Sequence, residues 1–102
     1  MCIIVSKKVG VEMPDRHILK NCFDYNSDGV GIMWNNEGRV NIRKGFMTWN
    51  SFDNFLSELE NRVDLKNVGV CTHFRIKTQG KISPQNCHGF CISNRVKDLK
   101  LL

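Results

Sequence analysis

The chain has 102 residues, 41% of them hydrophobic and 25% charged, enough for one domain spanning residues 1–102 with a modest core and too ordinary a mixture for a disordered chain. No apolar stretch has the length of a membrane span, and Ser6, Lys7 and Lys8 follow Cys2–Val5 too soon for a secretory leader, so a cytoplasmic protein is expected. The net charge of +5 is spread over Lys7–Lys8, Arg39–Lys44, Arg75–Lys81 and Arg95–Lys100 without any nucleic-acid-binding signature, which reads as a solvated basic surface and not as a nucleic-acid partner.

The short apolar run at residues 2–6, Cys-Ile-Ile-Val-Ser, reads as a buried strand. Pro14 suits the first turn of a helix near residues 14–24, in which Ile18, Leu19, Cys22 and Phe23 share a face. Asn26-Ser27-Asp28-Gly29 is turn chemistry that ends it. Val30–Trp34 and Arg39–Arg43 then read as a hairpin about Asn35-Asn36-Glu37-Gly38.

Thr48 is a plausible N-cap for a second helix near residues 48–63, whose stripe of Trp49, Phe52, Phe55, Leu56, Leu59 and Val63 should cover a sheet. Val68–Ile76 alternates: Val68, Val70, Thr72, Phe74 and Ile76 fall on one face, Cys71, His73 and Arg75 on the other. The plain reading is an edge strand with a polar outer face. Residues 78–84 read as loop, and Val96, Leu99 and Leu102 as the start of an amphipathic helix. The order predicts an α/β (α+β) domain with a mostly antiparallel sheet.

Five cysteines at 2, 22, 71, 87 and 91 are an odd number and suit free thiols in a reducing compartment. Cys71, His73, Cys87, His88 and Cys91 invite a zinc site, but their spacing matches no familiar structural pattern. No metal and no cofactor is expected.

Three stretches read together carry a resemblance: Met1-Cys2-Ile3-Ile4-Val5; Asn26-Ser27-Asp28-Gly29-Val30-Gly31-Ile32-Met33; and His73–Gly80 followed by Asn86-Cys87-His88-Gly89-Phe90. In order and spacing they are similar to the class II glutamine amidotransferases, which are N-terminal-nucleophile (Ntn) hydrolases, and most of all to the short bacterial and viral kind. The resemblance implies an αββα sandwich with Cys2 as nucleophile after loss of Met1. A free α-amine titrates at about 7.7–8.0 and a thiol near about 8.5, so one residue can supply both nucleophile and general base. The resemblance further assigns Arg75 to the substrate α-carboxylate, whose plane a guanidinium fork matches. Thr78 falls at a second substrate-contacting position, and Asn86 and His88 on a loop that shapes the pocket. His73 receives no role.

The sequence departs from that pattern at Ile3, Lys77, Gln79 and Gly89, where the family more often has Gly, a small residue, His and Pro. The resemblance also implies a longer domain, whose later part supplies an Asn-Gly oxyanion hole and an acidic residue for the substrate amine; Ser93-Asn94-Arg95 does not match it. Loss of a single oxyanion donor costs about 10²–10³ in rate. A truncated sandwich is therefore expected, its bare sheet covered by a homodimer or a protein partner. On these grounds the expected function is a non-catalytic binding module of amidotransferase descent, conceivably a phage-encoded inhibitor of a host protein. The alternative is a minimal glutaminase or amidotransferase domain acting on glutamine through Cys2.

Overall fold

The computed structural model describes residues 2–76. In chain order these form β1 (Cys2–Lys7), α1 (Arg16–Tyr25), β2 (Val30–Asn36), β3 (Arg39–Phe46), α2 (Trp49–Arg62), a 3₁₀ turn (Leu65–Asn67) and β4 (Val70–Arg75). The four strands make one antiparallel sheet in the order β1-β4-β2-β3. The loop expected over residues 78–84 and the helix begun by Val96 lie outside the described residues.

Local chemistry accounts for the boundaries. The hairpin turn is narrower than expected, because Asn35 and Asn36 stay in β2 and pair with Val40 and Arg39. Glu37 and Gly38 alone turn the chain, both at positive φ (55° and 76°), the combination that matches the twist of the flanking strands. β3 also runs three residues beyond Arg43. Its register with β2 slips between Val30↔Phe46 and Ile32↔Arg43, so Lys44 and Gly45 stand opposite Gly31, and Gly45 takes φ 90° in that bulge. Helix α1 starts at Arg16 behind an extended Asp15, which leaves Pro14 ahead of the cap instead of inside the first turn. Helix α2 is capped as the sequence suggests, with the Ser51 N–H donating to Thr48 Oγ1 at 3.2 Å.

Both helices pack on one face of the sheet. Leu19 of α1 and Phe52, Phe55, Leu56 and Leu59 of α2 close over Val30, Ile32, Trp34, Val70 and Phe74. Phe52 sits at the middle, its ring 5.8 Å from those of Phe46 and Trp49 and 6.1 Å from that of Phe74. Such tilted and edge-on pairs add to the energy of burial. Ile18, expected in this face, is 44% exposed because it lies one residue round the helix from Leu19. Arg16 ties the helices together, donating from Nε to Asp53 and from Nη2 to Ser57 and Glu60 at 2.9 Å. Its guanidinium, partly desolvated but held by two carboxylates, has its pKa raised above the ordinary value.

The expected edge strand is a correction: β4 lies between β1 and β2. Its alternation was read correctly, with Val70, Thr72 and Phe74 in the helix-covered core. Two of the opposite side chains are also enclosed, however: Cys71 is 2% and Arg75 8% exposed, with His73 between them half-buried. A strand hydrogen-bonded on both sides has no bare edge for a polar face to serve. The described residues thus supply one sheet and one helical layer, an α+β arrangement consistent with a truncated αββα sandwich. Among them, no helix is long and apolar enough to cross a membrane.

Candidate active site

The sheet face away from the helices holds the candidate residues Cys2 and Arg75. Strand alternation and antiparallel pairing put Cys2, Ile4 and Ser6 of β1 beside Arg75, His73 and Cys71 of β4, and Gly31 and Met33 of β2 beside His73 and Cys71. Cys2 and Arg75 are direct partners across β1 and β4. Residues so paired hold their Cβ atoms about 4.5–5.5 Å apart on one face. The thiol and the guanidinium therefore leave the sheet as neighbours, although 73 positions separate them in the chain.

Their surroundings differ. Cys2 is exposed. Arg75 is enclosed, and among the described residues its Nη1 is a buried donor with no hydrogen-bond partner. Buried donors are paired in the great majority of cases, and a charged one left unpaired is costly. A guanidinium has the planar donor geometry that suits a carboxylate.

The second thiol on this face, Cys71, is of another kind. Burial pushes its pKa up from 9.0 to about 11, which keeps it protonated and poorly nucleophilic at neutral pH. Among the described residues no group of three metal-ligating side chains comes together. Of the residues weighed for zinc, Cys71 and His73 share this face, while Cys87, His88 and Cys91 lie outside the described residues. So do the candidate substrate contacts Thr78, Asn86 and His88.

The segment 26–29 matters more here than its turn chemistry implied. Asp28 donates its N–H to the Arg75 carbonyl at 2.9 Å, and Arg75 donates its own N–H to the Gly29 carbonyl at 2.9 Å. Asn26, 7% exposed, donates from Nδ2 to the Phe74 carbonyl at 3.3 Å. The sequence holds Asn26–Met33 and His73–Gly80 as separate motifs, and the strand pairing shows the first bracing the second.

The chain belongs to the class II glutamine amidotransferases: the model of that family matches residues 16–99. No curated protein and no solved structure matches the chain. The matched span includes Arg75, Thr78, Asn86 and His88 but starts after Cys2, so Cys2 is tied to the site by the pairing of β1 with β4.

Proposed function

We propose that the chain binds glutamine, with Arg75 Nη1 taking the α-carboxylate and Cys2, freed of Met1, attacking the side-chain amide. The observation that carries this reading is the buried, unpartnered Nη1 of Arg75 on the strand position directly across from Cys2. The Cys2 sulfur would bond to the amide carbon of glutamine. Collapse of the adduct breaks the C–N bond and releases ammonia, with the proton delivered through the Cys2 α-amine. Water then cleaves the thioester to glutamate and the free thiol. Thr78, Asn86 and His88 are proposed as further substrate contacts on the strength of the family pattern.

A second reading, a non-catalytic binding module, draws support from Lys77 and Gln79 in place of a small residue and His, and from Ile4, 47% exposed on the site's face. An apolar residue there suits a protein partner or a second copy, and an inhibitor of a host protein is one form of this reading.

Intact-mass spectrometry of the protein from its natural source, before and after a glutamine-analogue electrophile, separates the two. Loss of Met1 with one adduct on Cys2 is expected. Retained Met1 and an unlabelled Cys2 overturn the glutaminase reading and leave the binding module.

A further inference from the structure

Residues 26–29 lead from the end of α1 into β2 and brace the end of β4. The Asn26 N–H closes α1 by donating to the Cys22 carbonyl at 3.0 Å, and its enclosed side chain reaches the Phe74 carbonyl. Two residues on, the Asp28 N–H and the Gly29 carbonyl take up both backbone groups of Arg75. Gly29 holds φ 131°, a conformation in which a side chain is strained. One four-residue segment therefore contacts the backbone on either side of the Arg75 α-carbon.

An arginine that clamps a carboxylate must be aimed. Its guanidinium ends a long flexible stem, and the direction of that stem is set by the backbone from which it leaves. A displacement of about 1 Å in a positioning contact can cost about 10²-fold in rate. Holding the 74–75 backbone fixes the stem's origin, and burial fixes its course.

We propose that Asn26 is a positioning residue for the carboxylate clamp: its side-chain amide, by holding the Phe74 carbonyl, sets the direction of Arg75. The proposal rests on the reading of Arg75 as the glutamine carboxylate seat. On this reading Asn26 acts through the Phe74 carbonyl, so its effect falls on the carboxylate half of the ligand and not on the amide half at Cys2. An Asn that serves only to end α1 would affect both halves alike.

The test uses Asn26→Leu, which keeps the volume and removes the donor. Amide hydrogen exchange in the ligand-free protein is read first. Exchange at Arg75 and Asp28 is expected to rise more than tenfold, with Thr72 and Leu56 unchanged; unchanged exchange at Arg75, or an equal rise everywhere, overturns the proposal. This arm needs no ligand, so it judges the positioning role even if glutamine proves not to bind. Calorimetric titration in a Cys2→Ser background then compares glutamine with its α-amide, which lacks the carboxylate. Asn26→Leu is expected to weaken glutamine at least tenfold and leave the α-amide unchanged, and equal weakening of both overturns the proposal. Failure of the Cys2→Ser protein itself to bind glutamine overturns the glutamine reading instead. Should Asn26→Leu not fold, Asn26→Ser, which keeps a shorter donor, is expected to fall between wild type and the pattern given for Leu, and a wild-type pattern from it overturns the proposal.

Discussion

Arg75→Met separates the cost of keeping the clamp from its use. Among the described residues Nη1 is buried without a partner, and a desolvated donor left unsatisfied costs about 1–3 kcal/mol. Methionine fills much of the same space with no polar atom, so most of that cost should disappear. The expected result is a variant as stable as wild type or more so, by as much as about 2 kcal/mol. Binding should move the other way. A hydrogen bond to a charged group contributes about 1.5–3 kcal/mol, and its loss lowers affinity for glutamine about 10- to 150-fold.

Urea denaturation without ligand gives the first quantity and calorimetric titration with glutamine in a Cys2→Ser background the second. Destabilisation by more than about 2 kcal/mol together with unchanged affinity would falsify the reasoning, since Arg75 would then be a structural residue whose orphaned nitrogen has no use.

Four further outcomes follow from the same structure. Of the three described thiols, Cys2 should react with a maleimide first and Cys71 last, read by peptide mass mapping, because Cys2 is exposed and Cys71 is 2% exposed with its pKa pushed to about 11. Stability should fall between pH 9 and 11 as the unfolded thiol of Cys71 ionises before the folded one, by at most about 2–3 kcal/mol. Lys7, its pKa lowered from 10.5 by burial, works in the opposite sense just below pH 10.5, so the slope should be taken as the difference between wild type and Cys71→Ala in urea melts at each pH. Phe52→Ala, at the centre of the aromatic cluster, should cost about 3–5 kcal/mol by the same melts, and Thr48→Ala about 0.5–2 kcal/mol through loss of the cap on α2.

How far the sequence could be read depended on the range of the interaction. The stripe of α2 from Trp49 to Val63 and the alternation of Val70, Thr72 and Phe74 are set by local periodicity, and each burial followed. Thr48 was legible as a cap because its bond reaches only three residues. The rank of β4 within the sheet was not: whether a strand lies at an edge depends on which distant segments pair with it, and Cys2–Lys7 is some seventy residues away. The polar side chains at His73 and Arg75 suggested an edge because polarity and exposure usually go together. Here Arg75 is polar and yet enclosed.

That placement also explains why the site needs no long loop to assemble. β4 runs antiparallel to both neighbours, so its C-terminal end meets the start of β1 on one side and the start of β2 on the other. The start of β1 is Cys2; the start of β2 follows directly on Asp28 and Gly29. Any nucleophile at the head of the chain is thereby placed beside residue 75, and any segment that enters β2 is placed where it can brace it. The first two of the three stretches that resemble the family, far apart in the chain, meet on either side of Arg75 because the sheet order is β1-β4-β2. A shift of one residue in the β1–β4 register would turn Cys2 to the helix-covered face and away from the guanidinium. The core-facing pairs Ile3↔Phe74 and Val5↔Thr72, the latter with the Thr72 hydroxyl donating to the Val5 carbonyl at 3.2 Å, hold Cys2 and Arg75 on their common side.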